Sequence, residues 1–238
     1  MPPTTDSKSA LYLCSPINAL VEGIYEARIP LHDVLAHGDF GLGTFDQLDG
    51  EMVILDGRVF QVDIDGQVRE VPDSACTPFA AVTRWAPISV EEITGEMSWP
   101  EFSAVLQAMM PSPNLFYAIR IEGEFARIDA RSVPRQDSYR PLVEVARNQR
   151  ELCYENVRGT LAGFHTPTFM SSISVPGVHL HFLSEDLRLG GHLMECRPRN
   201  VRIAIQFINH LELELPVTLD YLTLDFKRDT AKDLEEAE

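Results

Sequence analysis

The sequence predicts an α+β protein: two packed, β-rich halves, each a mixed or barrel-like sheet, with a few flanking helices. Three observations predict it. Runs of β-branched and aromatic residues recur along the chain, punctuated by turn dipeptides, above all Asp56-Gly57 and Asp65-Gly66. Apolar residues at helical spacing occur in only a few short stretches. A polar connection bounded by Pro134 and Pro141 lies near the midpoint and divides the chain into 1–135, an N-terminal β-rich α+β half, and 136–238, a C-terminal β-rich half.

The elements follow in order. After a polar tip, Ala10–Ser15 reads as a short apolar strand and Ile17–Glu26 as a helix. Asp33–Phe45, broken by Gly38, Gly41 and Gly43, reads as a helical turn and then an irregular approach to a strand. Glu51–Val71 is a three-stranded meander that turns at the two Asp-Gly pairs. Phe79–Trp85 is a strand, and Ser98 caps a helix over Trp99–Met110 with Pro100 in its first turn. Leu115–Val133 reads as strand, turn at Glu122-Gly123, strand. Beyond the midpoint, Arg150–Phe164, Met170–Val175, Val178–Leu183, Gly191–Glu195, Val201–Leu215 and Leu222–Phe226 all read as extended. From Asp229 the chain ends as a short charged helix or tail.

Composition excludes several classes. The 238 residues carry a formal charge of -16, which repels phosphate backbones and argues against nucleic-acid partners. No apolar run is long enough for a signal core or a membrane span, so a cytoplasmic location without membrane partners is expected. The four cysteines are dispersed without a C-x-x-C pair and read as reduced thiols. P-loop, dinucleotide and G-x-S-x-G signatures are absent, and the glycines at 38, 41 and 43 do not have the dinucleotide spacing.

One constellation carries chemistry. In Pro176–Cys196, His179 and His181 alternate with Leu180, so on a strand both imidazoles share a face. The segment Ser184–Gly191 reads as a turn, and an antiparallel return sets His192 opposite His181. Three imidazoles without cysteine suit a catalytic zinc or similar metal with a coordination position left open. Glu51 shares a strand face with Val53 and Leu55, where a carboxylate in an apolar cavity can act as a proton donor. Arg131, where a strand meets a proline turn, is a carboxylate clamp if it points inward. His32, His37, His165 and His210 lack ligand spacing and read as structural.

The segments Asp49–Gln61, Cys76–Thr83, Phe116–Gln136, Gly159–Pro167 and Pro176–Cys196 together resemble the bacterial α-acetolactate decarboxylases, over nearly the whole chain. The resemblance implies a zinc enzyme that converts (S)-2-acetolactate to (R)-acetoin and carbon dioxide in the acetoin and butanediol pathway. It implies a two-part α+β fold, a homodimer and a small 2-hydroxy-3-keto acid as substrate. His179, His181 and His192 fall on the family's metal ligands, Glu51 on its active-site glutamate and Arg131 on its arginine beside the metal. The family also brings a tail glutamate into the site. Here that is Glu238, with Glu236 and Glu235 as alternatives, and Glu238 and Glu51 are the candidates for moving protons. A cupin-type metal-dependent oxygenase is the rival reading, because His179-x-His181 followed by Glu185 imitates the cupin ligand set.

Overall fold

The structure is a computed structural model, and it describes residues 10–26, 29–138, 140–226 and 232–234. The first third of the chain builds most of one sheet. It contains β1 (Ala10–Leu13), α1 (Ile17–Val21), β2 (Ile29–Pro30), α2 (Leu31–His37) and β3 (Phe40–Thr44). The meander follows as β4 (Glu51–Leu55), β5 (Arg58–Val62) and β6 (Val68–Glu70), then come β7 (Cys76–Thr77) and β8 (Ala80–Thr83). Asp56 and Gly57 both take positive φ, as the tight turn between β4 and β5 requires.

The second sheet begins with the short β9 (Ser89–Thr94) and is then crossed by α3 (Trp99–Met109). It continues through β10 (Phe116–Ser132), α4 (Leu142–Ala146), β11 (Arg150–Thr166), β12 (Gly177–Ser184) and β13 (Gly190–Ile208). Then β14 (His210–Leu213) and α5 (Leu219–Thr223) follow. The first sheet has the order β14-β1-β8-β3-β4-β5-β6 and the second β10-β11-β12-β13-β9. Because β10 also pairs with β13, four strands of the second sheet close into a ring, which joins β10 from before the 135/136 connection to β11, β12 and β13 from after it.

The layers are α2, first sheet, second sheet and α3, each interface filled by its own apolar set. Leu13, Leu42, Val53 and Phe60 meet Phe116, Ala162, Phe164 and Leu183 between the sheets. Leu31 and Val34 of α2 cover the outer face of the first sheet beside Met52 and Ile54. On the far side Phe102 and Leu106 of α3 are buried against Ile119, Ile203 and Phe182. Removing a side chain such as Phe102 costs about 3–5 kcal/mol by the usual cavity rule. The Ser98 amide donates to Glu101 Oε2 at 2.9 Å at the start of α3, which fixes where that helix begins.

Four local expectations are corrected. Glu122-Gly123 is not a turn: β10 runs unbroken through it, paired on one side with β11 and on the other with β13. Gly123 takes φ 146°, and a Cβ there would lie 2.2 Å from the Asn200 carbonyl, so the glycine admits a close, coiled crossing instead of a reversal. Gly41 and Gly43 lie in a regular strand rather than an irregular approach, since β8 passes too close for side chains. Met170–Val175 holds a short 3-10 turn, and 219–223 is helical rather than extended.

The chain changes sheet between Thr83 and Ser89, and β14 returns to the first sheet. The 135/136 connection lies inside the second sheet, between its strands β10 and β11. Among the described residues no helix is long and apolar enough to cross a membrane.

Candidate active site

The site forms where β12 parts from β13. These strands pair through Leu183↔Gly190, Phe182↔Gly191 and His181↔His192, and there the pairing ends although β12 continues back to Gly177. Strand alternation sends Leu180 and Phe182 into the core beneath α3, so His179 and His181 point the other way, toward the first sheet. On β13, His192 also pairs with Arg131 of β10. Four of the candidate side chains thus come from three adjacent strands. A fifth, Glu51, arrives from β4 across the sheet interface, buried at 8% exposure.

The imidazoles converge. His179 Nε2 lies 3.2 Å from His181 Nε2 and 3.2 Å from His192 Nδ1. Nitrogens bound to one tetrahedral zinc at about 2.0–2.1 Å stand about 3.3 Å apart, so this spacing fits a shared cation. The ring of His181 is oriented from behind: its Nδ1–H donates to the Met52 carbonyl at 2.8 Å, which leaves the Nε2 lone pair facing the cluster. Glu51 Oε2 is 3.4 Å from that same Nε2. A carboxylate and an imidazole lone pair at this distance repel unless a cation or a proton lies between them.

Electrostatics keep the His179 and His181 rings neutral. Burial, opposed by the Met52 carbonyl and aided by the Arg131 cation, lowers the pKa of His181 to about 4. His179 is pushed well below the ordinary histidine value by desolvation first, then by His181 and Arg131. Neutral imidazoles at physiological pH are the form that binds a metal.

Arg131 is buried at 5% exposure. Its Nη1 donates to Gln149 Oε1 at 2.6 Å, and its Nη2 lies 3.2 Å from His192 Nε2. A guanidinium can only donate, so the second contact fits a His192 protonated on Nδ1. Were Nδ1 to hold a cation, the proton would sit on Nε2 and set donor against donor with Nη2. The cavity in front of these groups is walled by Ile17, Leu20, Leu48, Phe79, Val133 and Leu142. An apolar wall removes water and strengthens every charge interaction inside.

The structure therefore brings together His179, His181, His192, Glu51 and Arg131, while Glu238, Glu236 and Glu235 lie outside the described residues. Two side chains escaped the sequence reading. Thr44, whose hydroxyl donates to the Gly50 carbonyl at 2.7 Å, lines the cavity beside Glu51, its partner across β3 and β4. Gln149 reaches Arg131 from the loop after α4, and nothing in its local sequence marks it. The cupin reading is overturned at Glu185. That residue sits in the exposed turn after β12 and accepts from Arg158 Nε at 3.2 Å, away from the imidazoles. Among the described residues the group able to hold a metal is His179, His181 and His192.

Residues 11–228 match the family model for alpha-acetolactate decarboxylase. The chain is 41% identical over 229 residues to the alpha-acetolactate decarboxylase of Methylococcus capsulatus, covering 96% of this chain and 88% of that protein. It is 36% identical to the enzyme of the same name from Bacillus subtilis, covering 97% and 91%. The crystal structure of alpha-acetolactate decarboxylase from Bacillus subtilis superposes with a TM-score of 0.93 at 35% identity, over 97% of this chain and 99% of that one. A Staphylococcus aureus protein described as of unknown function and similar to alpha-acetolactate decarboxylase superposes at 0.91 and 28% identity, over 96% and 100%. In sequence and in fold, the chain belongs to the alpha-acetolactate decarboxylase family.

Proposed function

We propose that this chain is a carboxy-lyase that converts (S)-2-acetolactate to (R)-acetoin and carbon dioxide, with zinc held by His179, His181 and His192. The convergence of three imidazole nitrogens at zinc-ligand spacing carries this reading, together with family membership. When bound, zinc supplies Lewis acidity that stabilises negative charge developing on the substrate's keto and hydroxyl oxygens.

The chain's own residues do the rest. Arg131 binds the substrate carboxylate and sets its carbon–carbon bond perpendicular to the carbonyl plane, where the breaking bond overlaps the developing π-system. Glu51, held between the sheets beside His181, takes or gives the proton of the hydroxyl or of the new stereocentre. Glu238 is the second candidate for that proton, on the strength of the family likeness. The apolar wall from Ile17 to Leu142 excludes water, so protonation comes from a placed group on one face. A homodimer in the cytoplasm belongs to the same proposal. It is supported by the family likeness.

The test is turnover of racemic acetolactate by protein stripped with a chelator and reloaded with zinc, following carbon dioxide and acetoin chirality. Zinc-dependent, oxygen-independent release with (R)-acetoin as product is expected. Activity that survives complete metal removal contradicts the proposal.

A further inference from the structure

We infer that Gln149 is a positioning residue: it holds the Arg131 guanidinium in the orientation that meets the substrate's carboxylate. This rests on the reading of Arg131 as the carboxylate clamp. A buried guanidinium has several rotamers open to it unless its donors are fixed, and the 2.6 Å contact from Nη1 to Gln149 Oε1 fixes one of them. Because guanidinium offers only donors, the chemistry also settles which end of the amide faces it.

The backbone makes this anchor stiff. Gln149 closes a turn after α4, its amide donating to the Ala146 carbonyl at 3.1 Å. The next residue, Arg150, pairs with Ser132, and Glu151 pairs with Arg131 itself, so both ends of the contact are tied into one ladder. The same segment delivers Leu142 to the cavity wall. The Gln149 contact is made by Nη1, not by the Nη2 that faces His192, so it does not depend on which nitrogen of that ring carries the proton.

Neutrality matters at this position. A carboxylate here would form an ion pair with Arg131 and compete with an anionic substrate for it. An amide orients the cation and adds no negative charge of its own. The inferred role is therefore specific for the carboxylate end of the substrate, which separates it from a general structural role.

The test compares two inhibitors on the zinc-loaded enzyme. One is 2-hydroxy-2-methylbutanoate, which keeps the hydroxyl and carboxylate of the substrate. The other is acetoin, which has no carboxylate. In Gln149→Ala, inhibition by the carboxylate should weaken about tenfold, as for the loss of a hydrogen bond to a charged group, while inhibition by acetoin and zinc content stay unchanged. The isosteric Gln149→Glu should show the same split, and Gln149→Ala should add nothing in an Arg131→Ala background. If Arg131→Ala separates the two inhibitors but Gln149→Ala weakens both equally or neither, the positioning role is overturned and the clamp stands. If Arg131→Ala itself does not separate them, the clamp reading falls, and the inference falls with it.

Discussion

The Nδ1–H of His181 donates to the carbonyl of Met52 at 2.8 Å, a bond between residues 129 apart in sequence that crosses from the second sheet to the first. It orients one imidazole of the cluster from the strand that also carries Glu51. The Nε2 edge of His181 and the Glu51 carboxylate 3.4 Å from it are thus brought together by a hydrogen bond across the sheet interface, and the cluster forms only when the two sheets are packed.

Glu51→Gln should keep zinc at wild-type occupancy and lower kcat by about 100-fold or more, the usual loss for a placed acid or base. The Met52 bond to His181 involves only backbone on the β4 side, so the substitution leaves the imidazole in place. Metal analysis together with steady-state kinetics checks this, and near-normal turnover removes Glu51 from the chemistry.

Removing residues 235–238 should leave the fold and zinc content intact and reduce turnover, because the family likeness assigns a tail glutamate to the site. A fully active truncated chain excludes that assignment.

The metal-free protein should lose stability on acidification. The folded-state pKa of His181, about 4, lies below the ordinary value of 6.5, and that of His179 lies well below it as well. For a base depressed on folding, the unfolded chain takes up protons first. Stability is therefore complete above about pH 6.5 and declines toward pH 4, by about 3 kcal/mol for His181 alone. Chemical denaturation of the chelated protein across this range measures it, and a flat profile contradicts the buried, neutral rings.

Thiol labelling at pH 8 should separate the cysteines. Cys14 is fully buried with its pKa pushed up to about 12, and burial raises that of Cys196 too, so neither should react before unfolding. Cys153 is exposed and should label first, although desolvation and Asp129 raise its pKa and slow the reaction.

Much of the centre was legible in the sequence because strand geometry is local. The period of two placed His179 and His181 on one face, and the turn before Gly190-Gly191 placed His192 opposite His181, the register observed. Glu51 announced itself as a charge on an apolar strand face. The long strands were harder to read. Glu122-Gly123 has the composition of a turn, and only the neighbours β11 and β13, which arrive from elsewhere in the chain, keep β10 extended through it. Gln149 was invisible for a related reason: its contact with Arg131 spans 18 residues and depends on how α4 and its loop fold back. The direction of Arg131 was equally undetermined until Gln149 and His192 were both in place.

The most direct test of the central claim is zinc-edge anomalous diffraction from crystals of the protein grown with zinc. A single strong peak about 2.0–2.1 Å from His179 Nε2, His181 Nε2 and His192 Nδ1 is the predicted result. A peak elsewhere, or none at this cluster in crystals of active enzyme, contradicts the assignment of these three histidines as the catalytic metal centre.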